Sequence, residues 1–346
     1  MKKYKDNYLL RIAIFFAVMI TAGLIFRKVY YKDIINSEQL NIVTTLNNKQ
    51  AYHPKVISFK NSWNGYKYWM AFTPYPNADE SKENPVINAS NDKINWIEPT
   101  GTNKPLDIPE NAGKYHYNSD THLLYNEDLN QLELFWRYVD DENNTVTIYK
   151  TASKDGINWT EKEVFLYSDN RKELDYVSPA IMYDKGLYRI WFVDKRKVYY
   201  TEKTTNSIKE PVILNINYLK GYNTWHLDVI YNQEKKQYEL IACAYQDINR
   251  RESMSLYYTY SKNNKKWSTP IKILSPSTNQ KLWDSEGLYR SSVIYENGKY
   301  YLFYSGHDDE MNVGIGLMYG EKIDKLESFS KGVLKWENLY GYLEKI

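Results

Sequence analysis

The sequence predicts an all-β fold, a five-bladed β-propeller preceded by a single N-terminal transmembrane helix. Three observations lead there. A strand–turn–strand unit recurs five times. Aromatic residues are abundant, with 35 Tyr, 10 Trp and 10 Phe against only 15 Gly. An unbroken apolar run lies close to the start of the chain. Aromatic and β-branched residues suit strands, and an aromatic-rich chain is not of the disordered class. The net charge of +2, from 45 basic and 43 acidic residues, gives no electrostatic basis for binding nucleic acid, and no such partner is expected. One cysteine, Cys243, excludes an internal disulfide framework and a cysteine-cluster metal site.

The apolar run is IAIFFAVMITAGLIF, Ile12 to Phe26. Taken back to Tyr8 it extends about 28 Å as a helix, enough to cross a hydrocarbon core. Lys2, Lys3 and Lys5 precede it, and Arg11 can snorkel to the interface. The run ends Leu24-Ile25-Phe26-Arg27-Lys28, which offers no small-x-small cleavage site, so an uncleaved signal anchor is expected. The expected organisation is a cytoplasmic tail at 1–7, the anchor at 8–28, a linker with a closing strand at 29–50, and the propeller at 51–346. A short tail before an anchor stays cytoplasmic, which puts the propeller outside a bacterial cell membrane.

The five units begin at His53-Pro54-Lys55-Val56-Ile57, Asp120-Thr121-His122-Leu123-Leu124, Ser178-Pro179-Ala180-Ile181-Met182, His226-Leu227-Asp228-Val229-Ile230 and Arg290-Ser291-Ser292-Val293-Ile294. Each is followed by an aromatic-rich strand, such as GYKYWMAF, QLELFWRY or GLYRIWFV. Turns such as Asn64-Gly65 and Asn297-Gly298 join the two strands and signal hairpins. A third strand follows in every copy: NPVINAS, TVTIYKTAS, KVYYTEK, MSLYYTYS and VGIGLMYG. Three of these run into a related turn, at Ser90–Trp96, Ser153–Trp159 and Ser261–Trp267, in which Asp92, Asp155 or Asn263 can accept backbone N–H groups. A fourth, outer strand is expected after each. Five antiparallel units at roughly 60-residue spacing describe a propeller. Residues 40–46 are expected to close the ring by pairing near residues 333–339.

The segments SPAIMYDKGLYRIWFV and YENGKYYLFYSGH…VGIGLMYG, with the S-x-D-G-x-x-W turn, carry a family resemblance. Over residues 51–325 the chain resembles the five-bladed glycoside hydrolases, namely arabinanases, xylosidases, fructosidases and mannoside phosphorylases. The resemblance implies three carboxylates at the starts of the innermost strands: a base, a tuning Asp and a Glu acid. Here His53-Pro54 stands where the family reads Asp-Pro, and Val177 stands where its acid usually lies, so the triad is not the standard one.

Asp120, Asp228 and Glu286 remain as candidate catalytic carboxylates, acting as acid and base. His53, His122, Trp225, His226, Asp284 and Arg290 are candidate substrate-binding residues. Alternation along a strand sends first and third positions to one face, so these groups should gather at one mouth of the channel. Trp225 and Trp283 can stack on a sugar ring. A metal set of His53, His122, His226 and Asp228 has no close ligand spacing in its support, so no metal and no cofactor are expected. Glu83-Asn84-Pro85 reads equally as pocket rim and as a turn, and Cys243, in IACAY, as core. The expected function is that of a membrane-anchored, glycoside hydrolase-like propeller acting on a cell-surface or secreted polysaccharide. The alternative is a non-catalytic carbohydrate-binding or scaffolding propeller of the envelope.

Overall fold

A computed structural model describes residues 12–21, 34–99, 104–217, 221–246 and 254–329 of the chain. It divides into two units, residues 1–35 and 36–346. Of the first, residues 12–21 are helical. Among the described residues no helix is long and apolar enough to cross a membrane, and the remainder of the span expected at 8–28 lies outside them.

The second unit is a five-bladed propeller. Blade 1 contains β1 (Ala51–Trp63), β2 (Tyr66–Pro74) and β3 (Val86–Ser90). Blade 2 contains β4 (His116–Asn126), β5 (Gln131–Asp140), β6 (Thr145–Ser153) and β7 (Glu163–Ser168). Blade 3 contains β8 (Val177–Asp184), β9 (Leu187–Asp194), β10 (Lys197–Lys203) and β11 (Val212–Ile213). Blade 4 contains β12 (Asn223–Asn232), β13 (Gln237–Tyr245), β14 (Ser255–Ser261) and β15 (Ile271–Leu274). Blade 5 contains β16 (Gly287–Glu296), β17 (Lys299–His307), β18 (Val313–Gly320) and β19 (Glu327–Ser328). Each blade is an antiparallel meander in chain order, and β1, β4, β8, β12 and β16 are the innermost strands.

The hairpins form where the turns predict them. Asn64-Gly65, Lys185-Gly186 and Asn297-Gly298 all have positive φ at both central residues, the backbone of a type I′ turn, whose twist matches that of the flanking strands. The S-x-D/N turns close as expected too. Asp92 accepts from the backbone of Ile94 (2.9 Å) and Asn95 (2.7 Å), and Asp155 from Ile157 (2.8 Å) and Asn158 (2.7 Å). Gly156 in the second turn has φ +75° and lies against Trp69 of blade 1, where a methyl would overlap the indole. Among the described residues, the outer strand expected after the turn at Ser90–Trp96 does not form in blade 1. There Ala89 and Ile97 form a single bridge, and Pro99 then removes a backbone donor.

The core is divided among the five gaps between blades, each filled by its own apolar cluster. Most of the aromatic side chains are spent there. Trp69, Trp136 and Trp191, each from the second strand of its blade, are almost fully buried. Buried glutamates clasp neighbouring blades: Glu133 accepts from Tyr188 and Glu239 from Tyr300, at 2.8 and 2.9 Å. The ring is closed by the segment before β1. Gln39 bridges Gly316, Leu40 N–H donates to Ile315 (2.8 Å), and Leu40 and Ile42 enter the cluster between blades 5 and 1. The partner expected for this segment, residues 333–339, lies outside the described residues.

Candidate active site

Every innermost strand is bulged at its start. The ladder shifts register between Tyr52 and Lys55, Ser119 and His122, Val177 and Ala180, Thr224 and His226, and Leu288 and Ser291. A bulge leaves a residue out of the pairing and re-aims its side chain. In the first three blades the re-aimed residues His53, Asp120 and Ser178 have φ of 52°, 50° and 54°. That conformation costs an L-residue about 1–2 kcal/mol and is met most often in Asn, Asp and His outside glycine.

These bulges bring His53, Asp120 and His226 together at the mouth of the channel, on one pocket of about 320 Å³. One ligand atom from each lies within 4.8 Å of the others, and all three residues are buried. His53 Nδ1 is occupied by Thr73 Oγ1 (3.1 Å) and Glu83 Oε1 (2.8 Å), which leaves Nε2. His53 Nε2, Asp120 Oδ1 and both ring nitrogens of His226 are buried without a hydrogen-bond partner. His226 Nδ1 stands 3.1 Å from Asp120 Oδ1. Unpartnered buried donors and acceptors are costly, and they accumulate where a ligand completes them.

The electrostatics prepare the trio for a cation. Burial pulls the His226 imidazole down to about 4, against the opposing pull of Asp120, so it is neutral at physiological pH. Burial alone would raise the Asp120 carboxyl, but His226, His53 and Arg290 outweigh it and hold the group well below the usual carboxylate range. Dications with metal–ligand bonds of about 2.0–2.6 Å can span ligand pairs up to about 5 Å apart. The two imidazoles and the ionised Asp120 carboxylate are therefore a ligand set that fits a divalent metal. Of the four residues weighed from sequence as a metal set, His53 and His226 meet here with Asp120, whereas His122 and Asp228 are engaged elsewhere.

The remaining candidates divide sharply. Trp225 lines the pocket and donates from Nε1 to Tyr289 Oη (2.7 Å), whose ring lies 4.1 Å from that of His226. Arg290 is buried behind Asp120, 3.6 Å from Oδ1, and donates to the Pro179 carbonyl (2.8 Å). His122 is fully buried deeper in the ring and accepts from Ile181 N–H (3.0 Å). Burial, with Lys55 and Arg290 nearby, holds it neutral.

Of the three expected catalytic carboxylates only Asp120 lines the pocket. Asp228, with no exposed surface, is held by Lys55 Nζ at 2.6 and 2.9 Å. Glu286 begins the approach to β16 and lies off the pocket, its backbone N–H donating to the His307 carbonyl. Asp284 accepts from Asn36 Nδ2 and Tyr304 Oη, both at 2.9 Å, as part of ring closure, and Trp283 donates to Ser37 beside it.

Glu83 is the pocket's other buried carboxylate. It follows two 3₁₀ turns, Pro76–Ala78 and Glu80–Lys82. Burial raises its pKa, only partly offset by His53. Tyr75, Tyr289 and the Arg137–Asp175 ion pair complete the walls. None of these four stands out by sequence spacing; Arg137 and Tyr75 sit within or beside second strands, where alternation alone marks them as wall.

No family model matches the chain. It is 27% identical to an A type blood N-acetyl-α-D-galactosamine deacetylase of Flavonifractor plautii, over an alignment that covers 88% of this chain and spans 43% of that protein's length. The crystal structure of an N-acetylgalactosamine deacetylase from F. plautii, in complex with blood group B trisaccharide, superposes with a TM-score of 0.72. It shares 22% identity and covers 83% of this chain and 94% of that one. A Cellvibrio cellulosa α-L-arabinanase complexed with arabinohexaose superposes with a TM-score of 0.57 at 14% identity, covering 81% and 96%. The structural neighbours are thus arabinanase-like glycoside hydrolases and a deacetylase of the same fold, all carbohydrate-active enzymes.

Proposed function

We propose that this protein is a carbohydrate-active enzyme that hydrolyses an N-acyl group from an amino sugar in a glycan, with a divalent metal held by His53, Asp120 and His226. The observation that carries this reading is the convergence of unpartnered, buried His53 Nε2, Asp120 Oδ1 and His226 ring nitrogens on one pocket. The similarity to a deacetylase supports it.

A dication bound there supplies polarisation of the acyl carbonyl and acidifies a neighbouring water. The chain's own groups do the rest. Glu83, kept basic by burial, takes the proton from the attacking water and returns it to the departing amine. Water and amide become carboxylate and amine. Glu83 also orients His53 through Nδ1, and Arg290 holds Asp120 in its ionised state. Trp225 and Tyr289 form the aromatic wall on which a sugar ring rests.

A second reading, hydrolysis of a glycosidic bond, is favoured by one observation. Glu83 and Asp120 are two pocket carboxylates whose environments drive them in opposite directions, as acid and base require. Incubating the full chain with N-acetylated oligosaccharides, with and without EDTA, separates the two. The deacetylase reading expects acetate release that EDTA abolishes and added Zn²⁺ or Mn²⁺ restores, with the oligosaccharide length unchanged. New reducing ends without acetate would overturn it.

We further propose that the apolar run at 12–26 tethers the propeller to the outer face of a cell membrane, where surface glycan is within reach. Fractionation of expressing cells should then recover the full chain in membranes and release it only with detergent. Recovery in the soluble fraction would refute the tether.

A further inference from the structure

The innermost strands have a second end, opposite the metal pocket, and the same column of the repeat recurs there. Tyr125, Tyr183, Tyr231 and Tyr295 stand five residues after Asp120, Ser178, His226 and Arg290, at or next to the last residues of their strands, and all four are half-buried. Between blades 2, 3 and 4 this end holds a cavity of about 530 Å³. Its walls carry Tyr125, Tyr183, Tyr231 and Tyr238, the last two with ring centroids 5.0 Å apart. A second cavity of about 270 Å³ adjoins it across blades 4, 5 and 1, sharing Tyr231 and Gln233 and ending at Tyr295. The two form one groove across the face.

The chemistry of the groove restricts its ligand. Its acids, Glu127, Asp128, Asp184 and Glu234, are equal in number to its bases, Lys55, Lys185, Arg189 and Lys262, so it selects neither an anion nor a cation by net charge. Several of these groups are already fixed as planar acceptors and donors at the edges of the tyrosines. Tyr183 Oη donates to Asp128 Oδ2 (2.8 Å), and Arg189 Nη1 lies 3.2 Å from Asp184 Oδ2. Half-buried tyrosine rings flanked by amide, carboxylate and guanidinium groups suit a ligand with apolar C–H faces and hydroxyl edges.

We propose that this groove is a second, non-catalytic site for a neutral oligosaccharide. It rests on the reading that the chain acts on glycan, and adds a place where a different stretch of polymer is held. Since the groove and the pocket occupy opposite ends of the channel, a strand bound in one leaves the other open. Two sites joined by one rigid ring raise the local concentration of substrate at the pocket without contributing to turnover.

The test measures binding of labelled arabinohexaose and N-acetylglucosamine hexamer to the full chain in detergent, in a Trp225→Ala/His226→Ala background that removes part of the pocket's sugar wall together with its imidazole. At least one hexamer should bind. Tyr231→Ala with Gln233→Ala should weaken it about tenfold, and Tyr231→Phe should bind as the parent does. Gln233 lies exposed in a turn, so Gln233→Ala alone, expected to weaken binding severalfold, carries the test should the Tyr231 variant unfold. Acetate release from a monosaccharide by Tyr231→Ala/Gln233→Ala, with His226 intact, should match the unaltered chain. Absence of binding by both hexamers, undiminished binding by the double variant, or preferential binding of a polyanion such as polyuridylate would overturn the proposal. Failure of the deacetylase reading alone would leave this binding intact, since the probes need no turnover.

Discussion

Replacing His226 by alanine is expected to remove bound metal and lower kcat/KM for acetate release by about a thousandfold or more. On the proposed reading the side chain supplies one of three metal ligands, and its loss would leave Asp120 and His53 as a two-point site. A metal ion contributes several kcal/mol to stabilising a developing oxyanion, and each 1.36 kcal/mol is a factor of about ten in rate. Asp120→Asn should act in the same direction, because a neutral amide neither balances a dication nor bridges to Arg290. Metal content after dialysis, measured by plasma mass spectrometry beside the rate, decides the matter. A His226→Ala protein that keeps one equivalent of metal and its full rate would place the chemistry elsewhere. The substitution creates a small cavity at the channel mouth and leaves the blade-to-blade clusters untouched, so the variant should still unfold cooperatively.

Replacing Asp228 by alanine should instead strike stability, by about 3–5 kcal/mol. Lys55 and Asp228 cross the channel between β1 and β12, with side chains 6% and 0% exposed. Burial drives the Lys55 ammonium downward, and Asp228 is the chief group resisting that. Removing the carboxylate leaves an ammonium in the ring interior with no anion beside it, and breaking one side of a buried pair costs on that order. Removing both charges should cost far less: Lys55→Met with Asp228→Leu is expected near the parent stability, since well-packed apolar replacements of buried pairs are often neutral. Denaturant midpoints of the two single variants and the double variant form the cycle. Equal losses in Asp228→Ala and the double variant would mean that packing at these positions, and not the stranded charge, is what matters. Acetate release measured on the same proteins separates this role from catalysis, because Asp228 lies off the pocket.

The architecture was legible in the sequence because it is written in local signals. Strand alternation, the positive-φ turn dipeptides and the S-x-D/N turns each act over a few residues, and all recur. The missing fourth strand of blade 1 was not legible, since the turn at Ser90–Trp96 is as well formed as those that do lead into a strand. At the site, the gathering of His53, Asp120 and His226 at the channel mouth was legible as a column of polar strand starts, but which members of that column stay out of the pocket was not. Counting by alternate residues assumes an unbroken ladder, and a bulge at every strand start breaks it. The same counting put Asp228 on the face of His226, which is correct, but gave no depth; one strand step further in, it meets Lys55 instead of the pocket. Lys55 itself stands two residues after His53, and alternation would have turned it toward the channel. Glu83 carries no periodic signal, because it arrives on a pair of 3₁₀ turns outside the repeat.

The five bulges also separate two kinds of information in the chain. A break recurs at the start of every inner strand, whereas its contents differ: His53, Asp120, Ser178 and Arg290 lie within theirs, and His226, paired with Cys243, directly follows the one at Trp225. The apolar clusters fill the gaps between blades, and the pocket borrows its aromatic wall, Trp225 and Tyr289, from the edge of one of them. The arabinanase-like and deacetylase-like neighbours share this fold.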